Sequence, residues 1–128
     1  MLIADPKKFA EDLGNLHDAR IETVDYSAEG GTLALGVSDL KALFRSWPPT
    51  GTPEPDERPA TLLFSGVTRL QFGLAMRGRV IIGTLDIEPE EKFSRLVIAL
   101  ADGGIPGIAE KWWITAHFTS LHLLEANS

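Results

Sequence analysis

Leu16-His17-Asp18-Ala19-Arg20-Ile21-Glu22-Thr23-Val24-Asp25-Tyr26, followed after a turn by Thr32-Leu33-Ala34-Leu35-Gly36-Val37, is the stretch whose reading decides the fold. Thr23, Val24 and Tyr26 favour a strand, because β-branched and aromatic side chains fit a pleated surface. Glu29-Gly30-Gly31 supplies residues that tolerate positive φ in a turn. On the return strand Leu33, Leu35 and Val37 point one way, while Thr32, Ala34, Gly36 and Ser38 point the other. One face of this hairpin is therefore core. The outgoing strand alternates less cleanly, since Ile21 and Val24 are three apart. A bulge between them would bring both to the core side.

The chain beyond residue 60 reads as more antiparallel strand laid beside this hairpin. Thr61 to Ser65 is a short apolar strand bent at Gly66. Val67 to Met76 alternates, with Leu70, Phe72, Leu74 and Met76 opposed to Arg69, Gln71, Gly73 and Ala75. Arg77-Gly78 makes a two-residue turn. Arg79 to Glu88 returns, with Ile81, Leu85 and Ile87 opposed to Val80, Ile82, Thr84 and Asp86. Glu88-Pro89-Glu90-Glu91 interrupts it. Phe93 to Ala101 is apolar on both faces around Leu96 to Leu100, which predicts a central strand covered on both sides. After turns at Asp102-Gly103-Gly104 and Pro106-Gly107, a last strand from about Lys111 to Leu124 carries Trp112, Ile114, Ala116 and Phe118 on one face.

The start of the chain is different. Asp5-Pro6 is a helix opening, an N-cap acceptor before a proline at the first helical position. Phe9, Leu13 and Leu16 follow on one stripe, and Gly14 marks a stop. Lys7 and Lys8 lie at the unfavourable end of the helix dipole, so the helix depends on docking. Ser38-Asp39 can cap a short helical segment with Leu40, Leu43 or Phe44 and Trp47 on one face. Five prolines then fall between Trp47 and Pro59. Neither a helix nor a central strand survives that. The stretch reads as a Pro-rich surface loop at about 47–60 within a single domain spanning 1–128. The segment before it is too short to form an independent core. The expected fold is mainly β: an antiparallel sandwich or partly open barrel of about seven or eight strands with a short N-terminal helix.

Composition bounds the function. With 128 residues, 44% of them hydrophobic and 23% charged, the chain is an ordinary globular protein. It has no cysteine, which excludes disulfides, Cys-ligated metals and thiol catalysis and fits a reducing compartment. No apolar run approaches the roughly 18 residues of a membrane-spanning helix. Charge at Asp5 comes too early for a signal peptide, so a cytoplasmic location is expected. Eighteen acidic against 12 basic residues give a net charge of −6. That argues against sequence-independent nucleic-acid binding and against a basic membrane-binding face.

Leu16-His17-Asp18-Ala19-Arg20-Ile21 resembles a group of small bacterial β-rich proteins that open with a short helix and an LHDA-like entry to a first hairpin. Leu63-Phe64-Ser65-Gly66-Val67 and Ile114-Thr115-Ala116 are further echoes. Some members of such groups are proposed immunity proteins of toxin systems. The resemblance implies a β-rich fold without known catalysis.

The residues themselves carry little recognisable chemistry. His17-Asp18 is like the metal-binding pair of phosphohydrolases, but such sites need further His and Asp ligands on a helical scaffold. Asp18 as an acceptor at the helix-to-strand corner is the better reading. His117 and His122, five apart on one strand, should face opposite ways. There is no nucleophile elbow, phosphate-binding loop or dinucleotide fingerprint. Neither a catalytic residue, a cofactor nor a metal is expected. Asp86, Glu88, Glu90 and Glu91 read as a solvated turn, and Arg69, Arg77 and Arg79 as exposed arginines able to receive an anionic patch on a partner. Trp47, Trp113 and His117 are the candidate ligand or partner contacts: Trp47 as an interface anchor, Trp113 and His117 with Thr115 and Thr119 as a semi-polar face. The function expected is a non-enzymatic protein–protein interaction module, with a small-ligand-binding β protein using a pocket near Trp113 and His117 as the alternative.

Overall fold

The computed structural model describes residues 2–16, 19–38, 60–73, 80–102 and 113–125. His17, Asp18, the segment after Ser38, Trp47, the Pro-rich loop, Leu74 to Arg79 with the Arg77-Gly78 turn, the turns at Gly103-Gly104 and Pro106-Gly107, and Trp112 lie outside them. One helix, α1 (Pro6–Asp12), and a 3-10 turn (Gly14–Leu16) precede eight strands. These are β1 (Arg20–Ser27), β2 (Thr32–Val37), β3 (Ala60–Ser65), β4 (Thr68–Gly73), β5 (Val80–Pro89), β6 (Ser94–Asp102), β7 (Trp113–Phe118) and β8 (Ser120–Glu125). All pair antiparallel in one sheet of order β4-β7-β6-β5-β1-β2-β3-β8. The protein is thus mainly β, a partly open barrel with a short N-terminal helix.

The order hides a simpler plan. Among the described residues β1 and β5 share only two ladder pairs, Arg20 with Ile81 and Ile21 with Val80. The sheet accordingly divides into two four-stranded halves, β4-β7-β6-β5 and β1-β2-β3-β8. The chain crosses between them at two corners, from β3 to β4 at Gly66 and from β7 to β8 at Thr119. The β3–β8 ladder, from Ala60 opposite Glu125 to Ser65 opposite Ser120, is taken up beyond the corners by Thr68 opposite His117. Two long bent segments therefore run side by side and fold one half over the other, as strands do when they switch sheets.

The corners are fastened by the hairpin read first. Gly31, with φ of +61°, ends the β1–β2 turn, and its carbonyl accepts the Val67 N–H at 2.8 Å. Thr119 donates both its N–H (2.9 Å) and its hydroxyl (3.2 Å) to the Ser65 carbonyl. The bulge in β1 lies between Ile21 and Thr23; Ile21 is buried and Val24 half-buried against the core.

Between the halves lies one core. Leu33, Leu35, Val37, Leu62, Phe64, Leu121 and Leu123 enter it from one half. Ile82, Leu85, Ile87, Leu96, Ile98, Leu100, Ile114, Ala116 and Phe118 enter it from the other. Phe64 and Phe118 meet edge to face across it, centroids 5.0 Å apart. Helix α1 adds Ala10, with Leu13 and Leu16 following. The Asp5 carboxylate caps it through the Lys8 N–H at 3.1 Å. Docking offsets the unfavourable placement of the lysines, and Lys7 itself reaches Glu88 on β5 at 3.2 Å. Asn15, itself at φ +56°, donates to the Leu85 carbonyl at 3.1 Å.

Three expectations are corrected. A bulge between Ile82 and Thr84 changes the parity of β5, so Ile82 rather than Ile81 joins Leu85 and Ile87 inside. The corner at Thr119 does the same to the last strand. His117 and His122 both alternate with buried neighbours and both point away from the core, instead of to opposite faces. Finally β6, hydrogen-bonded on both edges by β5 and β7, has only one covered face. Leu96, Ile98 and Leu100 are buried, while Val97 is 37% exposed and Ala99 is exposed. Among the described residues no helix is long and apolar enough to cross a membrane.

Candidate functional site

The uncovered face of β6 continues across β7 to β4. Ladder pairing sets its rows. Arg95 lies opposite His117, which lies opposite Thr68, next to Arg69. Val97 is opposite Thr115, which is opposite Gln71. Ala99 is opposite Trp113, which is opposite Gly73. The alternation that buries Ile114, Ala116 and Phe118 sends Trp113, Thr115 and His117 outward together. Neighbouring strands stand about 5 Å apart, so side chains within a row are in reach of one another.

Arg69, Gln71, Arg95, Val97, Thr115 and His117 line a shallow concavity of about 360 Å³ on this face. The His117 ring on this lining stacks on Phe93, ring centroids 4.1 Å apart and planes 13° from parallel. Trp113 is 38% exposed, one row beyond the concavity's Thr115. Arg69 is reached through a bulge between Thr68 and Gln71, and its backbone has φ of +53°. A non-glycine residue in that region is uncommon and is held there by its surroundings.

The electrostatics of the face run against those of the chain. Neither Arg69 nor Arg95 forms an ion pair with a described carboxylate, whereas Lys7 pairs with Glu88 and Lys8 with Asp12. Across β4, β6 and β7 the sole acidic residue is Asp102, at the far end of β6. The acidic groups Asp86, Glu88, Glu90 and Glu91 are exposed on β5 and the turn after it. Glu88 is joined to Lys7, whose pKa its hydrogen bond and charge raise above the ordinary lysine value.

Of the residues singled out from sequence, His117 lines the concavity and Trp113 flanks it, on the same side of the same strand. Trp47 is outside the described residues. Arg95, Val97 and Gln71 were not singled out. Their signal was present in part, since Arg95, Val97 and Ala99 alternate with Leu96, Ile98 and Leu100. Reading that strand as covered on both sides concealed it. Comparison with protein-family models, with curated proteins and with solved structures finds no match.

Proposed function

We propose that this protein is a non-enzymatic interaction module that binds a partner protein through the outer face of β4, β7 and β6. The observation that carries the reading is an exposed apolar and aromatic pair, Val97 and Trp113, on the same face as two arginines without carboxylate partners among the described residues. Tryptophan and arginine are the residue types that most often dominate interface energetics. A cytoplasmic setting is part of the proposal, supported by the absence of cysteine. The resemblance of Leu16 to Ile21 to groups with proposed immunity proteins makes a toxin-blocking protein the specific form of this reading. The test is affinity capture from the native cell with the wild-type chain and with Val97→Glu. A partner recovered by the first and lost by the second supports the proposal. The same proteins recovered by both, or none by either, would sink it.

A second reading, small-ligand binding beside Trp113 and His117, is favoured by one specific observation, the concavity itself. Sites of about 300–1,000 Å³ are usual for small molecules, but those are mostly apolar clefts that enclose the ligand. This one is cationic and open, which suits the capture of a charged group on a larger body.

A further inference from the structure

The concavity on the outer face is a specific kind of site, and four observations converge on its ligand. Two guanidinium groups, those of Arg69 and Arg95, line it from the strands on either side of β7. His117, on the strand between them, is paired with Arg95 on one side and with Thr68, the residue before Arg69, on the other, and its ring stacks on Phe93. Gln71 and Thr115, opposite each other one row along, add neutral hydrogen-bond donors. Among the described residues no carboxylate lines the space, in a chain with 18 acidic residues against 12 basic ones.

The bulge at Arg69 is the least expected of these features. An arginine with no need to be left-handed would sit in a regular strand and alternate outward on its own. Here the strand departs from regular pairing between Thr68 and Gln71, and Arg69 takes φ of +53°. Bulges of this kind re-aim a side chain, and backbone strain concentrates where a side chain has a task. The effect is to bring a second guanidinium to the side of His117 opposite Arg95.

We propose that Arg69, His117 and Arg95, with Gln71 and Thr115, form an oxyanion site that takes the dianionic phosphate of a phosphate monoester. A phosphate offers three acceptor oxygens and about two negative charges, which matches two forked guanidiniums better than a single carboxylate does. Val97 and Trp113 lie further along the same strands, two and four residues from the Arg95–His117 row, about 7 and 13 Å at the rise of a strand. Val97, which lines the concavity, gives an apolar contact for the organic part of the ester, and Trp113 extends the surface beyond it. The inference rests on the reading that this face is the binding surface, and it names the chemistry recognised there. The phosphate has two sources, a small organic ester or a phosphorylated side chain of a partner, and the shared chemistry is the monoester dianion.

The experiment is a titration of the full chain with phenyl phosphate at constant ionic strength, followed by NMR signals of the His117 ring and the arginine side chains. Saturable shifts confined to His117, Arg69 and Arg95 are expected. Arg95→Gln and Arg69→Gln should each weaken binding by about tenfold or more, at unchanged unfolding midpoint, while Lys8→Gln leaves it intact. A phosphotyrosine peptide binding more tightly than phenyl phosphate assigns the source to a protein; equal or weaker binding assigns it to a small ester. Linear, non-saturating shifts, shifts reproduced by sodium chloride, or binding indifferent to Arg95→Gln would overturn the inference. Phosphate binding lost in Arg95→Gln together with partner capture indifferent to Val97→Glu would leave the site standing and remove the partner-docking reading. Partner capture lost in Val97→Glu with no phosphate binding would do the reverse.

Discussion

Gly66 and Thr119 stand against each other where the two long segments turn their corners. Gly66 has φ of +65°, and a Cβ built there would collide with the Thr119 side chain. Thr119 cannot withdraw freely, because its N–H and hydroxyl are both spent on the Ser65 carbonyl. Gly66→Ala should therefore lose about 1–3 kcal/mol of stability, from the left-handed backbone and the collision together. The double variant Gly66→Ala/Thr119→Ala separates the two causes. Relief of the collision should make its loss smaller than the sum of the single losses, read from urea unfolding midpoints.

Phe64 and Phe118 join the two halves through the core, both fully buried and in edge-to-face contact. Phe64→Ala removes the ring and leaves a void between two four-stranded layers. The expected loss is about 3–5 kcal/mol, in the range for buried aromatic truncation. A shift in the thermal midpoint no larger than that of a surface variant would contradict this placement of the core.

Lys7 ties the N-terminal helix to β5 through Glu88. The carboxylate raises the Lys7 pKa in the folded protein, so the ion pair contributes fully below the ordinary lysine range and is lost as pH rises through the raised value. Stability of the wild type should thus decline more in the alkaline range than that of Lys7→Gln, with the two curves parallel near neutrality. Both groups are about half exposed, so the difference is small and fades with added salt. Denaturation curves at paired pH values and two salt concentrations check the sign.

Trp113 and Val97 contribute to binding and not to folding if the uncovered face is the docking surface. Trp113→Ala and Val97→Glu should each change stability by no more than about 1 kcal/mol, as surface strand positions do. Binding to the captured partner should weaken by about tenfold or more for at least one of them. Large destabilisation by either variant would show that the face is covered in the folded chain.

The sequence displayed the strands through their alternation, and the first hairpin, the bend at Gly66 and the helix start at Asp5-Pro6 were all legible in it. Such features are local: a period of two, a residue tolerant of positive φ, a cap. Parity failed where a bulge or corner intervened. Nothing in Ile81-Ile82-Gly83 says which isoleucine turns inward; that depends on how Gly83 sits against Ala99 on the neighbouring strand. The candidate site was less visible still. His117 and Trp113 were found from their own strand, but Arg69, Gln71 and Arg95 come to His117 only through the β4–β7–β6 pairing. Such neighbours are set by sheet order, which no local pattern in the chain encodes.

The pairing of β8 has a consequence for how the chain reaches this state. β3 is flanked by β2 and β8, and β8 is synthesised after every other described strand. A growing chain can assemble β1, β2 and β3 early, yet Ala60 to Ser65 must wait some sixty residues for their second neighbour, roughly the separation of Ala60 from Glu125. Through that interval one edge of β3 is unsatisfied and Leu62 and Phe64 lack their ladder neighbours Leu123 and Leu121. Pairing at such separation is slow, since the intervening loop must be ordered first. The nascent chain is therefore most exposed to aggregation just before its last described strand arrives, and folding should complete in a single late step when it does.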